Sequence, residues 1–279
     1  MNDLHRDAVI GFYDRHPINE DEILAKLLAA GIDPKHLDVE TLARFDQDHY
    51  GGTAAVDELA SRAGIVAGAH VLDVCSGMGG PARWLAHRYG CRVTGLDLTR
   101  SRVEAARRLT ARVGLDALVD FVEGDATAMP LPDAGFDAVV GQEAWVHVPD
   151  KSALIRECAR VVRPGGTIAF TDIVARVPLQ PSEQQRLYDE MSYAPLGLAD
   201  EYLVLLESQG CEIVSLEDLS DVWTRLLVER LQMYRSLRDT TVAKFGQQHF
   251  ENWDRGYAFF VGLYVEGRLG GTRIVARRR

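Results

Sequence analysis

From residue 69 onward the chain alternates short apolar runs with amphipathic stretches, and that rhythm predicts its architecture. The apolar runs fall at 70–75, 92–98, 119–125, 136–142 and 167–174. Helical periodicity covers about 81–89, 101–113 and 151–163, and each of these stretches is closed by Gly or by Pro-Gly-Gly. Strands separated by helices of ten or more residues imply βαβ units and a parallel sheet. Parallel strands buried on both faces read as nearly continuous apolar runs, as most of these do.

The flanks have a different texture. Residues 1–68 read as short helices broken by Pro and Gly. Asn19 is placed to cap a helix that ends at Gly31, and a second helix covers 53–63 before Gly64. In 176–279, helices are expected at 182–193, 199–208, 221–245 and near 249–264. Strands are expected at 211–218 and 272–278. The pattern therefore divides into an N-terminal helical cap (1–68), a Rossmann-like α/β core (69–175) and a segment (176–279) that completes the core. That last segment adds two strands, for a seven-stranded, mostly parallel sheet, and helical insertions that form a lid.

Composition narrows the function classes. Apolar residues make up 47% and charged residues 26%, enough for a substantial core without staples. The net charge of −10 repels phosphate backbones, so no nucleic-acid partner is expected. The run Arg277, Arg278, Arg279 reads as a solvated tail. Cys75, Cys91, Cys158 and Cys211 form no CxxC pair, which fits a reducing compartment and argues against a zinc site. The N-terminus lacks a signal peptide, and no apolar run is long enough to span a bilayer. A cytoplasmic protein with no membrane partner is the expectation, with a homodimer as the default assembly.

Candidate chemistry begins at the turn after the first strand, Val71 to Pro81, where glycines let the backbone pass close to a ligand. Asp97 ends the second strand, twenty residues beyond Gly77, where a carboxylate can accept from ribose hydroxyls. That spacing suits both a nicotinamide dinucleotide and S-adenosylmethionine (SAM). Two details favour SAM. Asp73 lies inside the first strand, and a SAM site needs an acidic or polar group near the cofactor's ammonium. The third strand ends in Gly124-Asp125-Ala126, suited to an adenine amine. The plainer roles are a turn cap for Asp73 and a helix N-cap for Asp97.

These motifs resemble a class I SAM-dependent methyltransferase of the small-molecule branch. The resemblance runs from about 45 to 175, through VLDVCSGMGGPARWLA, VTGLDLTRSRVEAA, FVEGDATAMPLPDAGFDAVVGQEAWVHVPDK and ARVVRPGGTIAFTDI. One position departs: relatives usually carry glycine where Cys75 stands, which bears on cofactor affinity or geometry. The lead-in Asp46 to Thr53 is similar to that of sarcosine and dimethylglycine N-methyltransferases, which implies that it folds over the cofactor. It also reads as a plain turn feeding the 53–63 helix. The resulting cofactor set is Asp73, Ser76, Gly77, Gly79, Asp97, Leu98, Asp125, Ala126, Gln142 and His49, with Tyr13 as an N-terminal cover.

The acceptor side follows the fourth strand, because ligands of open α/β sheets bind beyond the carboxyl ends of the strands. His147 titrates near neutrality and is placed to take a proton. Glu143 is placed to orient an amine or alcohol, and Asp172 to support His147. The segment also resembles natural-product sugar O-methyltransferases, where a histidine and an aspartate at matching positions are the proposed base and its partner. Structural roles compete for each residue: a turn histidine, a strand-end cap, and core packing for Trp145. The later aromatics Tyr188, Tyr193, Tyr202, Trp223, Tyr234, Trp253 and Tyr257 suit either packing or a wall around a methylated cation. Glu143 and His147 lack the HExxH order, so no metal is expected.

The reading is a SAM-dependent methyltransferase acting on a small-molecule acceptor, first by N-methylation of a small amine or amino acid. O-methylation of a sugar or secondary metabolite is the alternative, and a SAM-binding regulator without transfer activity is the alternative of another class.

Overall fold

A computed structural model describes residues 3–16 and 18–279. Four helices come first: α1 (Asp3–Asp14), α2 (Glu20–Ala29), α3 (Val39–Leu42) and α4 (Gly52–Ala63). Asn19 caps α2 as expected, its side chain accepting from the amide of Glu22 at 3.0 Å. The alternating core follows as β1 (His70–Val74), α5 (Gly80–Tyr89), β2 (Arg92–Asp97), α6 (Arg100–Arg112), β3 (Val119–Glu123), β4 (Phe136–Gln142), α7 (Lys151–Val161) and β5 (Val162–Ala175). The remainder is α8 (Pro181–Met191), α9 (Ala199–Ser208), β6 (Cys211–Asp218), α10 (Ser220–Ser236), α11 (Arg238–Phe245), α12 (Gln247–Val265) and β7 (Leu269–Arg278).

The strands form one seven-stranded sheet in the order β3-β2-β1-β4-β5-β7-β6. The first five pair in parallel, and β7 runs antiparallel between β5 and β6. The chain therefore reverses its direction of winding between β1 and β4, and a crevice opens beyond their carboxyl ends. That crevice holds the site.

Side-chain alternation along β1 builds a layer on each face of the sheet. Leu72 and Val74 pack with Leu154, Ile155 and Cys158 of α7, whereas Val71 packs with Val56 and Leu59 of α4 and Leu85 of α5. A third cluster joins α10 and α12 to the acceptor side through Trp223, Leu227, Phe260 and Val146. A fourth seats α2 on α6 through Ile23, Leu27 and Leu109.

Two expectations shift. The helix expected over 221–245 is two helices, broken at Leu237 with no Gly or Pro to mark it. β5 starts five residues before the expected 167, at Val162, because Val162 pairs with Phe136; the Pro-Gly-Gly segment then forms an irregularity, with Gly165 at φ of +77°, before pairing resumes at Ala138 and Thr167. Among the described residues no helix is long and apolar enough to cross a membrane. All four cysteines are free.

Candidate active site

The turn after β1 is a run of unusual backbone. Cys75 and Gly77 have φ of +63° and +53°, in the left-handed region that favours glycine. Gly77 opens onto free space, so a ligand can approach its backbone. Asp97 fastens this turn: one carboxylate oxygen accepts from the Gly77 amide and the other from the Thr99 amide, each at 2.8 Å. Burial raises its pKa, and those two amides oppose the rise. Gly79 is not among the residues that line the cavity described next, and a Cβ there would collide with the ring of Phe121.

One cavity is lined by Asp73, Ser76, Gly77, Asp97, Leu98, Ala126, Gln142, Glu143, His147, Tyr13 and His49, so eleven of the fourteen sequence-chosen residues meet there. Asp73 is buried, and its Oδ2 has no hydrogen-bond partner among the described residues; the same holds for Ser76 Oγ. Burial pushes the Asp73 carboxyl up to about 7, and the neighbouring Asp97 charge adds to the rise. Asp125 turns into its own loop, where Oδ1 accepts from the amide and hydroxyl of Thr127, while Gly124 and Ala126 line the cavity on either side of it.

On the acceptor side, His147 sits in the 3-10 turn Trp145–His147. Its Nδ1 lies 3.0 Å from the Ser192 carbonyl. A carbonyl only accepts, so Nδ1 carries the proton and Nε2 keeps a lone pair. Tyr13 donates its hydroxyl to that lone pair at 3.0 Å. Burial holds the His147 pKa down to about 4, so the ring is neutral at physiological pH. Glu143 has φ of +50°, and its carboxylate accepts from the Tyr50 amide at 2.6 Å and from the Thr171 hydroxyl. Burial pushes it up to about 7, against the pull of those two donors.

Asp172 does not support His147. It is fully buried, accepting from the Val146 amide at 3.2 Å and from the Tyr202 hydroxyl at 2.6 Å. The orienting acceptor for His147 is a backbone carbonyl, which sequence patterns do not reveal. Trp145 belongs to the core: its indole NH donates to Val74 O at 3.2 Å and its ring stacks on Phe170. Of the late aromatics, Tyr193 meets the His147 ring edge-on at 5.2 Å, and Trp223 packs edge-on against Tyr50. Trp253 packs against both Tyr234 and Tyr257 where α10 meets α12.

Three charged residues of the cavity wall stand outside the sequence-chosen set. Arg102 lines the cavity and donates to the carbonyls of Ile18 at 2.6 Å and Tyr13 at 2.8 Å, tying the end of α1 to α6. Asp48 also faces the cavity, with 40% of its side chain accessible and His16 at 4.0 Å. Asp46 lines it too, and forms a buried ion pair with Arg83 at 2.8 Å that pins the 46–50 strap over the start of α5. Bonds to backbone carbonyls carry no sequence signature, which hides Arg102; the acidic lead-in was the available hint for the other two. Among the described residues no group of three or more His, Cys, Asp or Glu is arranged to hold a metal ion.

A family model described as a methyltransferase domain matches residues 72–170. The chain is 34% identical over 149 residues to a sarcosine/dimethylglycine N-methyltransferase of Halorhodospira halochloris, covering 53% of each. It is 32% identical over 236 residues to the 27-O-demethylrifamycin SV methyltransferase of Amycolatopsis mediterranei, covering 81% of this chain and 83% of that one. It spans only 39% to 62% of the length of three curated relatives that it matches, the Halorhodospira enzyme among them. In fold it is similar to Haemonchus contortus phosphoethanolamine N-methyltransferase 2 in complex with S-adenosyl-L-methionine, with a TM-score of 0.77 at 20% identity over 98% of this chain and 60% of that one.

Proposed function

The chain belongs to the class I SAM-dependent methyltransferases, and from that premise we propose that it transfers the SAM methyl group to the nitrogen of a small amine or amino acid. The residues present fit the cofactor. Two buried polar atoms without partners among the described residues, Asp73 Oδ2 and Ser76 Oγ, await a polar ligand at the turn where Gly77 leaves room for one. Asp97 would accept from the ribose hydroxyls, Asp73 would meet the ammonium, and Leu98 and Ala126 would flank the adenine. SAM, when bound, supplies an electrophilic methyl group on a sulfonium. The chain's task is then to align an acceptor, exclude water and receive a proton.

One observation carries the choice of nitrogen. Asp73 and Asp97 would meet the cofactor and Asp46 is paired with Arg83, which leaves two further carboxylates on the cavity wall, Asp48 and Glu143. Negative walls attract and orient an ammonium and disfavour an anionic acceptor. Glu143, with its carboxyl near 7, is matched to remove the proton that an amine must lose before it can attack. His147 and Tyr13, both neutral, close the far side against water.

The O-methylation reading has its own observation: His147 Nε2 bears a lone pair already bonded to a hydroxyl, that of Tyr13. An acceptor hydroxyl could take the same place. The net charge of −10 further supports a protein without nucleic-acid partners, for which we propose a cytoplasmic setting.

The test is S-adenosylhomocysteine formation with panels of amines and alcohols, for wild type and His147→Ala. The amine reading expects turnover of amines, reduced about tenfold or less by the substitution. Turnover confined to alcohols, and reduced about a hundredfold or more, would replace it with the O-methyl reading. SAM binding with no turnover on either panel would favour a regulator.

A further inference from the structure

A line of side-chain hydrogen bonds runs from α5 to the cavity wall, and every link in it has a forced polarity. Arg83 Nη2 donates to Asp46 Oδ2 at 2.8 Å, with side chains only 1% and 2% accessible. A guanidinium only donates and a carboxylate only accepts. The other Asp46 oxygen lies 2.7 Å from the Gln47 amide, which must therefore present its NH2. That turns the Gln47 carbonyl oxygen toward His49 Nε2 at 2.8 Å, so Nε2 must carry the ring proton. Burial holds the His49 pKa down to about 4, and the neutral ring keeps a lone pair on Nδ1. Gln142 Nε2 lies 3.3 Å from that lone pair. Only its NH2 can satisfy it.

One contact pulls the other way. The Tyr50 carbonyl also lies 3.3 Å from Nδ1 and would favour a proton there. The shorter Gln47 contact, backed by the buried ion pair, decides for Nε2. Reversing any link would set two acceptors against each other in a partly buried strap, which costs about 1–3 kcal/mol for each unpaired group. Close approach makes room for the line: a Cβ on Gly80 would run into the Asp46 carbonyl and come within 2.9 Å of Gln47 Nε2.

We propose that Arg83, Asp46, Gln47 and His49 act as positioning residues that fix the Gln142 amide with its carbonyl oxygen turned to the cavity, as an acceptor for an ammonium N–H. His49 and Gln142 both line the cavity, and no described residue donates to Gln142 Oε1. The ammonium can come from two sources, the amino-acid end of SAM or the amine acceptor. The second source rests on the function proposed above; the ring tautomer does not.

Nitrogen-resolved NMR of the His49 ring in the ligand-free protein tests the polarity directly. A proton on Nε2 is expected, and one on Nδ1 overturns the proposal whatever the enzyme methylates. Arg83→Lys keeps a cation behind Asp46 and should keep that tautomer. Gln47→Leu cuts the line and should move the proton to Nδ1, toward the Tyr50 carbonyl.

Calorimetry with SAM and with 5′-methylthioadenosine, which lacks the amino-acid end, then identifies the ligand group. About a tenfold loss for SAM alone in Gln47→Leu places Gln142 at the cofactor ammonium. Unchanged binding of both, with the KM for sarcosine raised about tenfold, places it at the acceptor. Equal losses for SAM and methylthioadenosine, or no change in any of the three, would overturn the positioning role.

Discussion

Tyr13 gives its hydroxyl proton to Nε2 of His147 across 3.0 Å, fastening the first helix to the turn that follows β4. The bond closes the cavity and occupies the lone pair of the imidazole. Tyr13→Phe removes the donor and keeps the ring, which packs edge-on against the imidazole at 5.2 Å. Losing one such hydrogen bond costs about 1 kcal/mol. Turnover of the best amine should fall about fivefold while SAM affinity, read by calorimetry, stays within about twofold. A loss of SAM affinity as large as the loss of turnover would show that Tyr13 covers the cofactor instead.

The raised Asp73 carboxyl predicts a proton signature. With its folded pKa near 7 and its unfolded value near 3.8, Asp73 favours the fold most below pH 3.8. That contribution is lost as pH rises toward 7 and is gone above it. A bound cation drives the proton off, so SAM binding at pH 6 should release close to one proton from this group, and almost none at pH 8.5. Titrations at pH 6 in buffers of different ionisation enthalpy measure this count. Asp73→Asn should shrink the release at pH 6, weaken SAM binding most at pH 8, and raise the melting temperature of the free protein more at pH 8 than at pH 5.

Asp97 holds two backbone amides as well as facing the cavity. Asp97→Ala leaves both amides unpaired, at about 1–3 kcal/mol each, and removes the expected ribose acceptor. SAM affinity should fall about a hundredfold or more. Gly77→Val, at φ of +53°, should weaken binding about tenfold or more through strain alone. Affinity preserved in both variants would sink the cofactor assignment.

Cys75 occupies a backbone conformation that suits glycine. That is a physical reason for treating the cysteine as strained. Cys75→Gly should stabilise the protein by about 1 kcal/mol, raising its melting temperature by about 2 °C. A lower melting temperature would mean that thiol packing outweighs the strain.

Much of the core was legible along the chain, because strand and helix periodicities are local and the Gly and Asn signals that punctuate them are local too. Asp73 and Asp97 could be chosen because one lies next to the last residue of its strand and the other ends its strand, and the sheet's winding sends those ends to one crevice. Leu237 shows the limit: no helix breaker marks the division of 221–245 into α10 and α11. Gly79 shows another, since the ring of Phe121, forty-two residues away, is what leaves no room for a Cβ there.

By itself, then, the sequence determined the alternating core, the glycine turn and the placing of Asp73, Asp97 and Glu143 at the crevice. Only the tertiary structure decided that His147 is oriented by the Ser192 carbonyl and not by Asp172, that Arg102 binds the end of the first helix, and that Gln47 and His49 link Arg83 to Gln142. The reason is physical. Periodicity and turn chemistry act between residues a few positions apart, whereas these contacts join groups brought together by packing. Several of them end on backbone carbonyls, which every residue carries and no sequence pattern distinguishes.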